Sequence, residues 1–327
     1  MKKYLSRWVY KLTGSRRNDQ MATITMGFIG LGVMGEPICA NITKAGFGDM
    51  QVLDLNLEPV ARLVALGAHE AQSLADLASA CDIIFLSLPG GPEVEKIVLG
   101  NGGLLEAGHA GQIIVDLSTC PVTLTREIHK AAQEKGVEFA DAPVARTRQA
   151  AIDGTLSIMV GGTPQLFKRL QPYLDAAAEE ITHCGDIGTG QVMKLMNNMV
   201  LIQSVVALSE AFVTAERAGV ERSALVDVLS LGSADSFALR NHGKKAMVPN
   251  VFPVSAFATD YAIKDITYAL ELAADMGVDA RSATLAKGRL EQSSQNGFGQ
   301  EYFPAVINTV SGTSKQAYQE QLEKEND

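Results

Sequence analysis

The stretch ITMGFIGLGVMG, from Ile24 to Gly35, constrains this chain more than any other segment. It is an apolar, β-rich run that ends in Gly30-Leu31-Gly32-Val33-Met34-Gly35, and the helical pattern PICANITKAG follows directly. A strand feeding a glycine turn that opens a helix is the first unit of an α/β sheet. In that setting G-x-G-x-x-G is a pyrophosphate cradle. Gly30 permits the tight turn, Gly32 lets backbone N–H groups approach the phosphates, and Gly35 lets helix and strand pack closely. The N-terminus of the helix then stabilises the negative charge. The next β-rich run, MQVLDLN, carries Asp54, 19 residues after Gly35. An acid there accepts hydrogen bonds from ribose hydroxyls and repels a 2′-phosphate, and no arginine follows it until Arg62. The cofactor expected is NAD, with NADP as the alternative.

Further β-rich runs follow at IIFLSLP, QIIVDLS, VEFADAPV and LSIMVGG, separated by helical patterns such as VARLVALG and TLTREIHKAAQEKG. This alternation predicts an α/β fold with a parallel sheet covered on both faces, over residues 21–184. The pattern then changes. QVMKLMNNMVLIQSVVALSEAFVTAERAG has no strand punctuation and is apolar almost all round in its middle, which predicts one long helix buried on most sides. At 1.5 Å per residue it spans about 42 Å, enough to pack against both domains or a second subunit. Residues 185–312 are expected to form an all-helical domain that also carries oligomer contacts, as a homodimer or homotetramer, with a polar tail over 313–327.

Composition excludes several classes. The net charge of −9 argues against nucleic acid as a partner, and no uninterrupted apolar run in the body reaches the ~20 residues of a membrane span. Four widely spaced cysteines and five scattered histidines show no metal or disulfide spacing, so no metal is expected and the thiols read as reduced, in a cytoplasmic protein. Residues 1–20 differ, with six Lys/Arg against one acid. Leu5, Trp8, Val9 and Leu12 can share a helical face, so a targeting or surface-binding helix is one reading. A disordered leader, or an upstream start ahead of Met21, is the favoured one.

Lys194 stands near the start of the long helix, just after Gly188 and Gly190, with Asn197 and Asn198 at i+3 and i+4. A lysine and two amides among Met, Leu and Val are costly unless used or exposed. Alcohol oxidation by a nicotinamide removes a hydride from carbon and a proton from oxygen, and the proton needs an acceptor within reach. A lysine whose pKa is lowered by burial and by the positive end of its helix can serve, with Asn198 beside it to hold the reacting oxygen or a carboxylate.

FIGLGVMGEPICANI, DLSTC, DAPV…GTLSIMVGG and GTGQVMKLMNN, in this order and spacing, resemble the β-hydroxyacid dehydrogenase family, which includes 3-hydroxyisobutyrate dehydrogenase and tartronate semialdehyde reductase and is related to 6-phosphogluconate dehydrogenase. The resemblance runs from about Met26 to Val310. It implies a Rossmann-type, doubly wound sheet followed by a helical domain, with the active site between them. The function implied is hydride transfer between NAD(P) and a short 3-hydroxy acid or its semialdehyde. By resemblance Lys194 is the general acid/base, Asn198 and Ser118 contact substrate, and Thr119 and Lys264 lie beside the cofactor. The cofactor set expected is then Gly30, Leu31, Gly32, Val33, Met34, Gly35, Asp54, Pro89, Thr119 and Lys264.

One segment departs from the family. After Asp-Ala-Pro-Val its members usually have Ser-Gly-Gly, whereas this chain has Ala145-Arg146-Thr147. A guanidinium offers paired donors for a carboxylate or sulfonate. Arg146 and Thr147 are therefore expected to bind the acidic group of the substrate. A branch of the family that reduces sulfolactaldehyde looks similar here, which makes a sulfonated or otherwise strongly anionic three-carbon aldehyde the alternative substrate. The competing reading of Arg146 is an ion pair to a surface acid.

Overall fold

The computed structural model describes residues 24–254 and 256–317; the basic leader and the end of the polar tail lie outside them. Nine strands form one sheet: β1 (Ile24–Ile29), β2 (Gly48–Leu53), β3 (His69–Glu70), β4 (Ile83–Leu86), β5 (Ile113–Asp116), β6 (Glu138–Asp141), β7 (Val144–Ala145), β8 (Leu156–Gly161) and β9 (Ala178–Gly185). Their order is β3-β2-β1-β4-β5-β6-β8-β7, with β9 also paired to β8. The first six strands are parallel. β4 and β5 are buried at every residue, as strands covered on both faces must be.

The connecting helices are α1 (Gly35–Ala45), α2 (Leu57–Val64), α3 (Leu74–Ala80), α4 (Gly91–Leu99), α5 (Leu104–Ala107), α6 (Val122–Glu134), α7 (Arg148–Asp153) and α8 (Pro164–Leu174). Asn56, Ser73 and Thr163 cap the first turns of α2, α3 and α8 by accepting backbone N–H bonds. One face of the sheet packs a core with Ile38, Ile42, Leu166 and Leu170, and the other with Leu77, Val94, Leu124 and Ile128. Chain order reverses between β1 and β4, so the loops after those two strands diverge and leave a crevice at their C-terminal ends.

The sheet is mixed at one end. β8 runs antiparallel to β6 and β7 and parallel to β9. The link from β7 to β8 holds only the short α7, and a parallel crossover needs a dozen or more residues. β9, AEEITHCG, was not expected as a strand; its exposed Glu179 and Glu180 dilute the apolar pattern.

From Thr189 the chain is helical: α9 (Thr189–Arg217), α10 (Arg222–Leu229), a π-helical segment (Leu239–Met247), α11 (Thr259–Asp275), α12 (Arg281–Ser293) and α13 (Val306–Ser311). Among the described residues α9 alone is long and apolar enough to cross a membrane. Here it serves as a core helix, packed against β8, β9, α11, α12 and α13. Val122, Leu195 and Ala269 form a small buried cluster where α6, α9 and α11 meet, which seats the helical layer on the sheet layer.

Candidate active site

The glycine turn sits at the crevice, and its three glycines answer different demands. Gly30 has φ +91°, and a Cβ there would lie 2.3 Å from the Ser87 carbonyl oxygen. A Cβ on Gly35 would lie 2.0 Å from the Gly30 oxygen, whereas one on Gly32 would meet nothing within 4 Å. Protein packing therefore requires Gly30 and Gly35, while Gly32 leaves open space beside the N-terminus of α1, where a pyrophosphate needs it. Leu31 is buried and Val33 is exposed on the turn. The Asp54 carboxylate accepts from Leu31 N at 2.5 Å and Asn56 N at 2.7 Å. Each oxygen keeps a lone pair for a ribose hydroxyl. These residues fit a dinucleotide.

The loop after β5 carries Ser118 and Thr119. Ser118 is buried, and its hydroxyl accepts from Leu88 N at 2.9 Å, in the loop that runs on to Pro89 and Gly90. Asp116, at the end of β5, accepts from Ser118 N at 2.9 Å and from the Cys120 thiol at 3.3 Å. Burial pushes its carboxyl up to about 6, against the pull of these hydrogen bonds. Its register partner on β6 is Asp141, also fully buried. Asp141 accepts from Gly188 N at 2.7 Å and Gln191 N at 2.8 Å. It thus satisfies the free amides at the start of α9, which has no side-chain cap of its own. Burial raises the Asp141 pKa in spite of those bonds.

Lys194 lies five residues into α9, half-buried. Among the described residues its amine has no hydrogen bond or ion pair. Burial lowers its pKa, and Lys264 pushes the same way, while Asp265 opposes both. One turn on, Asn198 Nδ2 donates to Asp265 Oδ2 at 2.6 Å, and Asn197 Nδ2 donates to Asn198 Oδ1 at 3.0 Å. Lys264 is held differently. Its Nζ lies 3.1 Å from Asp265 Oδ1 and 3.3 Å from the Thr119 carbonyl. Burial pushes Lys264 down, but Asp265 outweighs it and the net shift is upward. The two lysines are therefore driven apart, Lys264 toward a fixed ammonium and Lys194 toward an amine that can exchange a proton.

Arg146 and Thr147, expected to bind the acidic group of the substrate, both have partners within the protein. Arg146 Nη1 donates to the Thr155 carbonyl at 2.5 Å and pairs with Glu179 at 2.8 Å. The Thr147 hydroxyl caps α7 by accepting from Ala150 N. Both groups brace the turn between β7 and α7, and the contacts of Arg146 are those of the competing reading, an ion pair to a surface acid. Arg146 has φ +87°, in the left-handed region that favours glycine. The family's glycine there fits this backbone, and arginine occupies it under strain.

Several residues of the site escaped the sequence reading. Gln191 is fully buried and bonds the 118–120 backbone. Tyr268 accepts from Gly91 N at 3.3 Å, and Asp116 and Asp141 organise the two loops. The available signal was an acid ending an apolar β-run, as in QIIVD and EFAD.

Comparison with known proteins agrees with this geometry. The profile of the NAD binding domain of 6-phosphogluconate dehydrogenase matches residues 25–185, and that of the NAD-binding domain of NADP-dependent 3-hydroxyisobutyrate dehydrogenase matches residues 188–310. The 2-(hydroxymethyl)glutarate dehydrogenase of Eubacterium barkeri is 36% identical over 87% of this chain and 94% of its own. The chain belongs to the β-hydroxyacid dehydrogenase family. Escherichia coli 2-hydroxy-3-oxopropionate reductase is 32% identical over 87% of this chain and 96% of its own. A structure of Mycobacterium tuberculosis 3-hydroxyisobutyrate dehydrogenase with L-serine superposes with a TM-score of 0.81 at 30% identity, covering 88% of this chain and 99% of that one. Like its relatives, this β-hydroxyacid dehydrogenase is an NAD(P)-dependent oxidoreductase acting on a CH–OH group.

Proposed function

We propose that this dehydrogenase interconverts a short 3-hydroxy acid and its semialdehyde, with Lys194 as the proton carrier. The observation that carries this reading is the state of Lys194: half-buried, unpaired, and lowered in pKa by burial. A bound nicotinamide supplies the hydride acceptor. Lys194 accepts the hydroxyl proton during oxidation and returns it to the carbonyl oxygen in reduction. Asn198, locked by Asp265 and Asn197, presents its amide to the substrate's polar end, and Ser118 offers its hydroxyl from the facing loop. Lys264, bound to the Thr119 carbonyl, holds a positive charge beside the cofactor loops.

NAD is favoured over NADP. Asp54 would face the adenosine ribose, and the Arg62 guanidinium is held by Glu36 at 2.5 and 3.0 Å instead of being free for a 2′-phosphate. With Arg146 turned to Glu179, no observation favours a sulfonated substrate. Exposed apolar side chains on the helical domain, among them Met193 and Val200 on α9 and Leu231 beyond α10, support a homo-oligomer. Free, mostly buried cysteines accord with a cytoplasmic setting.

The test is an NAD- and NADP-coupled panel of small hydroxy acids, with Lys194→Ala alongside. Wild type should turn over at least one 3-hydroxy acid, and the variant should lose roughly 10²- to 10⁴-fold in kcat with its affinity for NAD retained. Retained turnover in the variant would remove Lys194 from the chemistry.

A further inference from the structure

The geometry points to Gln191 as the positioning residue that sets the spacing between Lys194 and the loop carrying Ser118 and Thr119, an inference that rests on the reading of Lys194 above. Gln191 lies in the first turn of α9, fully buried, three residues before Lys194. Its side-chain Oε1 accepts from Cys120 N at 3.1 Å, and its Nε2 donates to the Ser118 carbonyl at 2.8 Å. One amide thus pairs with the backbone on both sides of Thr119, much as a neighbouring strand would. The backbone N–H of Gln191 is fixed separately by Asp141.

Residues three apart on a helix share a face. The amide that grips the loop and the amine that moves the proton are therefore mounted on the same side of one rigid helix. The loop belongs to the sheet layer and Lys194 to the helical layer. Lys264 also reaches Thr119, through a single longer bond of 3.3 Å. Gln191 makes two bonds, and it makes them from the helix that bears Lys194. Proton and hydride transfer need the reacting atoms aligned closely, and a misplacement of about 1 Å can lower the rate about 10²-fold. The Gly30–Gly35 turn and Asp54, the residues that fit the pyrophosphate and ribose, are built without Gln191, so loss of this tie should lower the rate more than the dinucleotide affinity.

The experiment compares wild type with Gln191→Met, which has similar length and no polar group, and Gln191→Glu, which keeps an acceptor for Cys120 N–H but lacks the donor to Ser118. The readouts are kcat/KM for 3-hydroxyisobutyrate with NAD, the primary deuterium isotope effect with substrate deuterated at C3, the Kd of NAD, and hydrogen exchange at the Cys120 amide. In Gln191→Met, kcat/KM should fall by about 10²-fold, the isotope effect should rise, the Kd should change far less than kcat/KM, and Cys120 should lose protection. Gln191→Glu should fall in between, and it carries the test if the Met variant does not fold. A loss of activity that only tracks the loss of folded protein, with the isotope effect unchanged, would overturn the proposal. In Gln191→Met an unaltered Cys120 exchange rate would overturn the tie itself, whatever the turnover; in Gln191→Glu, which keeps that acceptor, an unchanged kcat/KM and isotope effect would do so. If wild type oxidises no hydroxy acid with either cofactor, the proposed function fails instead, and the Cys120 exchange still reports on Gln191.

Discussion

Asn198 and Asp265 meet at 2.6 Å from two different helices, one turn beyond Lys194. Asp265 also faces Lys264 at 3.1 Å. One buried carboxylate therefore orients the Asn198 amide, pairs with Lys264 and bears on the proton affinity of Lys194. Its charge favours the ammonium form of Lys194, against burial.

Replacing Asp265 by Asn keeps an acceptor for Asn198 and removes the charge. Lys194 then loses the interaction that raises its pKa and still feels Lys264, so its pKa falls further. With Lys194 as the proposed proton acceptor, alcohol oxidation needs its neutral amine and rises with pH through that pKa. The acidic limb of the kcat/KM profile for oxidation should therefore move to lower pH in Asp265→Asn. An unmoved limb would show that a different group titrates.

Arg146 holds a left-handed backbone at φ +87°, which costs a non-glycine residue roughly 1–2 kcal/mol. Its exposed ion pair with Glu179 contributes about 0–1 kcal/mol. Arg146→Ala loses the contacts and keeps the strain, whereas Arg146→Gly relieves the strain. The glycine variant should be the more stable of the two by about 1 kcal/mol in denaturant unfolding. Both should keep the wild-type KM for a hydroxy acid. A sharply raised KM would return the guanidinium to the substrate site.

Asp116 gives stability a pH dependence. Its carboxyl is raised to about 6 in the folded protein, against about 3.9 in an unfolded chain. The folded state binds the proton more tightly, so stability from this group is full below about pH 4 and is lost as pH rises to about 6, a total of roughly 3 kcal/mol. Asp116→Asn still accepts from Ser118 N. It should flatten the decline in unfolding free energy between pH 4 and 7 relative to wild type, and equal slopes would show that Asp116 is not held as a buried acid.

The glycine turn and the strands that feed it were legible in the sequence because their causes are local. Gly30 needs a positive φ, Gly35 must clear the backbone of residue 30, and β4 and β5 read as unbroken apolar runs because both faces of a parallel sheet are covered. β9 was not legible. Its alternation is broken by exposed glutamates, and it exists as a strand because β8 offers an open edge.

Residue types and their order in the chain determined the α/β unit, the dinucleotide cradle, the family and the presence of an unusual lysine on an apolar helix. Only the tertiary structure decided partners. In the sequence Arg146 reads either as a substrate ligand or as half of a surface ion pair, and only the fold brings it to Glu179, 33 residues away; Gln191 reads as one more helix residue until it meets a loop 71 residues earlier in the chain. Backbone geometry and hydrophobic periodicity act over a few residues and leave a mark in the sequence. A hydrogen bond or ion pair between distant segments depends on where packing brings them, and no local pattern encodes that.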